Sequence, residues 1–223
     1  MTQSHALHEE MLPIGTWAAG AFSGNVKAVA GPTNLYGTRF PQVLPFSFTY
    51  GGIASSDLLP KWESMHTTTP LDESRLARIL EYKDPKTGLS LQCKAIIYSD
   101  YPTIDYVLRF TNSGTNDSLL LEHILPLDVW LGVNSNERVQ LHTSRGGIPA
   151  ADAFKLNSEI LEEGNSRALC AGGRRSSKDC MPWFNLQWPD GGPLVAIGWS
   201  GQWRAEISRD QAVHLTAGME DSR

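Results

Sequence analysis

Residues Gly172 to Gly218 read GGRRSSKDCMPWFNLQWPDGGPLVAIGWSGQWRAEISRDQAVHLTAG, and their alternation decides the fold class. Phe184, Leu186 and Trp188 fall on one face of an extended chain while Trp183, Asn185 and Gln187 fall on the other, the period of two that a pleated strand imposes. Pro189-Asp190-Gly191-Gly192-Pro193 interrupts this run with residues that supply positive φ or remove a backbone donor, so it predicts a hairpin connection. A second strand runs from Leu194 to Trp199. Beyond Ser200-Gly201, Trp203, Ala205 and Ile207 alternate with Arg204, Glu206 and Ser208, and Val213, Leu215 and Ala217 mark a fourth strand. Together these four strands are predicted to form one up-and-down meander. Trp183, Trp188, Trp199 and Trp203 crowd this stretch well above ordinary usage. They either fill a sheet-on-sheet core or face outward to receive something flat and apolar, such as the face of a sugar ring.

Upstream, the same grammar recurs. Leu44-Pro45-Phe46-Ser47-Phe48-Thr49-Tyr50 alternates before Gly51-Gly52 ends a strand. Ser55 to Trp62 reads as a turn or short helical turn that Ser56 or Asp57 caps. Arg75 to Tyr82 is ambiguous, because Leu76, Ile79 and Leu80 also fit helical spacing. The strong turn Asp84-Pro85-Lys86-Thr87-Gly88 and the clean alternation from Leu89 to Lys94 decide for a strand, since both arms of a short hairpin are extended. Ile104 to Phe110 follows with Ile104, Tyr106, Leu108 and Phe110 on one face. Leu119 to Leu121, Leu127 to Leu131 and Val139 to Leu141 continue the pattern. Between Arg145 and Cys170 the alternation fades, and Phe154 to Glu163 is expected to hold a short helix or an irregular excursion. Short strands separated by Gly, Pro and Asn turns predict an antiparallel all-β sandwich. A chain of 223 residues fits one such domain, residues 1–223.

Composition excludes several classes. With 41% apolar and 19% charged residues the chain has material for a core, and its net charge of −5 argues against a sequence-independent hold on nucleic acid. The three cysteines, Cys93, Cys170 and Cys180, cannot all pair within the chain and form no C-x-x-C motif, so free thiols are expected. Cys170 and Cys180 could meet across the loop that joins them. No signal peptide and no membrane span is evident, which points to a cytoplasmic protein.

Candidate chemistry is sparse. Gly172-Gly173-Arg174-Arg175-Ser176-Ser177 could cradle a carboxylate or sugar hydroxyls, because Arg presents a fixed fork of donors; a turn with its arginines paired to nearby acids explains it too. Trp199 and Trp203, either side of a tight turn, could form a sugar platform or pack into the core. Arg174, Trp199 and Trp203 are therefore the candidate carbohydrate contacts. His5 and His8 do not fit the H-E-x-x-H metal pattern, and His66, His123, His142 and His214 read as structural. Asp72-Glu73, Glu162-Glu163 and Glu220-Asp221 do not make the opposed pair that glycoside cleavage needs, since neighbours on a strand point apart. No catalytic residue, metal ligand or cofactor site is assigned.

LPFSFTYGG (44–52), LLPKW (58–62), Thr87-Gly88-Leu89, Asn112-Ser113-Gly114, GGRRSS with Pro182-Trp183-Phe184, GWSGQW (198–203) and Leu215-Thr216-Ala217-Gly218 occur in this order. From about Phe40 to Asp221 the chain thereby resembles the N-terminal domain of glycoside hydrolase family 36, the melibiase-like α-galactosidases. That resemblance implies a β-supersandwich of galactose-mutarotase-like fold, incomplete at its C-terminus. It implies a separate (β/α)8 barrel that holds the catalytic aspartates and needs some 250 further residues. The implied role is non-catalytic: scaffold, barrel partner and surface for a homo-oligomer, in an enzyme acting on galactosides. The alternatives are a carbohydrate-binding module that works alone and a mutarotase-like epimerase, which would need a His and a Glu converging in a cleft.

Overall fold

The computed structural model describes residues 21–22, 44–133, 137–173, 175–189 and 191–219. Among them, fifteen strands form four antiparallel sheets, as the alternation predicts. The chain divides into two compact units, Met1–Glu122 and His123–Arg223. Among the described residues no helix is long and apolar enough to cross a membrane.

In the first unit, β1 (Ser47–Tyr50) pairs with β2 (Ile53–Ala54). The tight reversal between them holds Gly51 and Gly52 at φ +56° and +78°, a region that penalises any residue with a Cβ. Phe46, Phe48 and Tyr50 are all buried, and the ring of Phe48 meets Phe110 edge-on at 5.1 Å. Tyr50 packs edge-on against Trp62 at 6.0 Å. Its hydroxyl, donating to Thr87 Oγ1 (3.0 Å) and accepting the Leu119 N–H (3.3 Å), satisfies the polar tip of an otherwise enclosed ring. The helical turn is present as α1 (Ser55–Leu58) and a 3-10 turn (Leu59–Lys61). Neither Ser56 nor Asp57 caps it: α1 starts after Ala54 with no side-chain cap, and Ser55 Oγ instead accepts the Phe48 N–H at 3.2 Å.

The main sheet of this unit runs β3 (Glu63–Pro70), β4 (Arg75–Lys83), β5 (Leu89–Tyr98), β6 (Ile104–Asn112). The strand reading of Arg75 to Tyr82 holds. Strand β3 leaves no mark in the sequence, because all eight of its residues are exposed and only its backbone joins the sheet. Asp84 builds the β4–β5 turn, one carboxylate oxygen accepting the Lys86 N–H (3.0 Å) and the other the Thr87 hydroxyl (2.6 Å), with Gly88 at φ +81°. Replacing Asp84 with alanine is expected to lower the unfolding free energy by about 1–2 kcal/mol, read as an earlier urea midpoint. An unchanged midpoint would show that the turn forms without these bonds.

The chain leaves the first unit within β7 (Leu121–Leu125), which shares a sheet with β1 and β2. The second unit holds β8 (Leu127–Gly132), β9 (Val139–Arg145), β10 (Leu156–Leu161), β11 (Ser166–Cys170), β12 (Cys180–Gln187), β13 (Leu194–Ala196), β14 (Trp203–Arg209) and β15 (Ala212–Met219). They form two four-stranded sheets, β10-β9-β12-β13 and β11-β14-β15-β8. Each buries one face: Val139, Leu141, Phe184 and Leu186 in the first, Trp203, Ala205, Ile207, Val213 and Leu215 in the second. Arg204 and Glu206, alternating with that second set, stay exposed.

Two expectations change here. The four strands of the tryptophan-rich stretch do not form one meander, because β12–β13 and β14–β15 belong to different sheets. Inward-facing residues alternate identically whether the next strand lies beside its predecessor or in another sheet, so periodicity cannot separate the two. The stretch from Phe154 to Glu163 is neither helix nor irregular: it holds β10, paired along its length with β9. Its first three residues, Leu156 to Ser158, are exposed, and an edge strand without a consistently buried face carries no alternation to read. Strand β11, with Leu169 as its sole buried residue, was hidden for the same reason.

Candidate functional site

The two motifs singled out from sequence, GGRRSS and GWSGQW, meet in the second unit. Gly198 to Gln202 is the corner where the chain passes from β13 to β14, and the 172–179 loop lies against it. The Ser176 N–H donates to the Ser200 carbonyl at 3.2 Å, while the indole Nε1–H of Trp203 donates to the Ser176 carbonyl at 2.6 Å. One serine backbone is thereby held from both directions. The other side of the loop is tied to the Gly146-Gly147 pair, whose N–H groups donate to the carbonyls of Asp179 (2.9 Å) and Ser177 (2.8 Å). A Cβ on Gly146 would fall 2.3 Å from the Ser177 carbonyl oxygen, so the close approach requires glycine.

The candidate sugar contacts separate on this frame. Trp203 has 0% of its surface exposed and serves the core and the loop anchor. Trp199 is 49% exposed. Its ring lies along the backbone of Gly201, where an added Cβ would come within 2.7 Å of the indole nitrogen. A platform built from both rings is therefore reduced to Trp199 alone. Arg174 lies outside the described residues; its neighbours Arg175 and Lys178 are exposed, and Ser176 and Ser177 are half-buried. The half-open indole of Trp199 thus lies on the same corner to which the backbone of Ser176 is bonded. Trp188, the other strongly buried indole of the stretch, packs inward with Phe184 and Leu186.

Two of the histidines that read as structural, His214 and His142, have side-chain partners. On the β8–β15 pair, the His214 ring stacks on Trp130 with centroids 4.1 Å apart and planes within 4°, and its Nε2 lies 2.8 Å from Asp128 Oδ1. Cross-strand register creates this trio, setting His214 opposite Trp130 and Thr216 opposite Asp128. No sequence spacing announces it. His142 sits between Ser158 Oγ (2.8 Å) and Gln187 Oε1 (2.9 Å), one partner from each neighbouring strand. His66 is exposed on β3, His123 adopts φ +50°, and His5 and His8 lie outside the described residues.

The sequence-adjacent acids are dispersed. Asp72 bonds Arg75 Nε at 2.7 Å, and that guanidinium, aided by the Ser74 N–H, holds its carboxyl below the usual range. Glu162 and Glu163 are exposed, and Glu220-Asp221 lies outside the described residues. Among the described residues no three His, Cys, Asp or Glu side chains gather in a way that could hold a metal ion.

No protein-family model matches the chain, and no curated protein matches its sequence. Solved structures do. The α-galactosidase AgaA of glycoside hydrolase family 36 from Geobacillus stearothermophilus aligns with a TM-score of 0.52 at 14% identity, over 80% of this chain and 27% of that one. A doubly substituted form of AgaA in complex with stachyose aligns with a TM-score of 0.57 at 15% identity, over 83% of this chain and 28% of that one. The galactosidase domain of the α-galactosidase-sucrose kinase AgaSK gives 0.52 at 12% identity, over 80% and 27%. The shared property is the fold, and the chain spans little more than a quarter of the length of these proteins.

Proposed function

We propose that this chain is the non-catalytic N-terminal sandwich domain, residues 1–223, of an α-galactosidase-like glycoside hydrolase. In this reading it is a scaffold and a partner for a (β/α)8 barrel that hydrolyses terminal α-galactosides in the cytoplasm, and a surface for homo-oligomer contacts. The observation that carries the reading is the fold likeness to galactosidases across four-fifths of this chain and about a quarter of theirs. The order of the sequence blocks from LPFSFTYGG to LTAG supports it independently. Purified protein is expected to leave p-nitrophenyl α-galactoside intact. Turnover that persists against a mock purification and tracks the protein through a second column would end the non-catalytic reading.

The exposed Trp199 favours a second reading, a carbohydrate-binding surface within the same domain. Trp199 would stack on the sugar, Arg174 would reach its hydroxyls, and Trp203 would act by holding Ser176 in place. Raffinose is expected to change the tryptophan fluorescence of the wild-type chain in a saturable way. Trp199→Ala is expected to weaken that response at least tenfold, in line with about 1.4 kcal/mol per decade. A flat titration of the wild type removes this reading and leaves the scaffold role untouched.

A further inference from the structure

We propose that Ser158 is a nucleophilic modification site: His142, oriented by Gln187, activates its hydroxyl to take an acyl group from an activated ester. Three adjacent strands of one sheet supply the parts. Ser158 on β10 lies directly opposite His142 on β9, and Gln187 comes from β12 on the other side of β9. His142 Nδ1 lies 2.8 Å from Ser158 Oγ, and its Nε2 lies 2.9 Å from Gln187 Oε1. A carboxamide oxygen can only accept, so Nε2 carries the hydrogen and donates to it. In the neutral ring Nδ1 is then the acceptor, and the Ser158 hydroxyl donates to it. This is the contact of base with nucleophile, its tautomer fixed by a third group, that activates a hydroxyl. Strand pairing holds all three residues on rigid elements rather than on loops. Ser158 is exposed, and so are Leu156 and Ile160, which flank it on the same face of β10. A reachable hydroxyl between two apolar side chains suits a small ester with an apolar acyl group.

The chemistry is an acyl transfer with no redox change. Ser158 Oγ attacks the ester carbonyl as its proton passes to His142 Nδ1, forming a tetrahedral adduct. Gln187 Oε1 keeps the hydrogen bond from Nε2–H while the ring is positively charged. The adduct collapses by expelling the alcohol oxygen, which takes the proton from Nδ1. One C–O bond to Ser158 has formed, one C–O bond of the ester has broken, and the free alcohol leaves with the proton. His142 returns to its neutral form. Ser158 and His142 touch the reacting atoms, whereas Gln187 is a positioning residue. All three lie outside the corner of Trp199 and Ser176, and acylation of Ser158 does not depend on the galactosidase-like reading.

The test incubates the whole chain with p-nitrophenyl acetate and follows acetylation by peptide mass spectrometry. Trypsin, cutting after Lys155 and Arg167, releases one peptide that carries both Ser158 and Ser166. Ser166 is likewise an exposed strand residue and serves as the internal reference. Ser158 is expected to be acetylated about a hundredfold faster than Ser166, the lower end of what a positioned base contributes. His142→Phe should remove that advantage. Gln187→Leu should lose most of it, and Gln187→Glu, which restores an acceptor for Nε2–H, should recover it; a purely structural residue 187 would not produce that recovery. Equal acetylation of Ser158 and Ser166 in the wild type, which no folding defect of a variant can imitate, would overturn the proposal. A Ser158 advantage that survives His142→Phe would overturn it as well.

Discussion

Replacing Trp203 with alanine is expected to lower the unfolding free energy by about 3–5 kcal/mol, the range for a fully enclosed aromatic side chain. Its ring has 0% exposure, and the buried set Ala205, Ile207, Val213 and Leu215 continues the same face of the β14–β15 pair. The change also removes the indole N–H that the Ser176 carbonyl accepts at 2.6 Å. Trp203→Phe separates the contributions: it keeps most of the apolar area and loses the bond, for about 1–3 kcal/mol. Trp199→Ala, at a half-open ring, is expected to stay within about 0.5 kcal/mol, as surface substitutions usually do. Urea midpoints for the three variants check the assignment. Equal shifts at positions 199 and 203 would contradict the assignment of one indole to the core and the other to the surface.

Alkaline pH is expected to weaken the first unit through Cys93. Burial pushes this thiol from its ordinary 9.0 up to about 12, while in the unfolded chain it ionises near the ordinary value. Above that value the unfolded state holds fewer protons than the native one, so stability falls as pH rises. The contribution is complete below pH 9 and is lost progressively toward pH 12, up to about 4 kcal/mol for a gap of this size. The Tyr82 phenol, raised by burial with the Cys93 thiol as a second cause, acts in the same direction at higher pH. Urea midpoints between pH 8 and pH 11 should fall for the wild type and fall distinctly less for Cys93→Ala. Parallel curves would show that the thiol ionises in the native chain without resistance.

What could be read from the residues alone follows from where burial is one-sided. Strand β4 was legible despite its helix-like leucines because the Asp84–Gly88 turn and the alternation of β5 fixed its partner. Strands β14 and β15 were legible because every second side chain points into the core. Strands β3 and β10 were not, since all of the residues of β3 and most of those of β10 are exposed and backbone pairing has no side-chain signature. The division of the tryptophan-rich stretch between two sheets was invisible because the period of two is blind to which strand comes next in space. At the candidate site, the GGRRSS and GWSGQW motifs were found as words, but their contact through Ser176 and the opposite fates of Trp199 and Trp203 required coordinates. The Asp128–Trp130–His214 trio depends wholly on register.

Sequencing the genomic DNA on both sides of these 223 codons is the most direct check on the proposal that this sandwich serves chemistry performed elsewhere in a longer polypeptide. An open frame running past Arg223 for at least some 250 residues, with strands alternating with helices, is the expected result. A stop codon immediately after Arg223, with no barrel-encoding frame adjoining it, would contradict the proposed role.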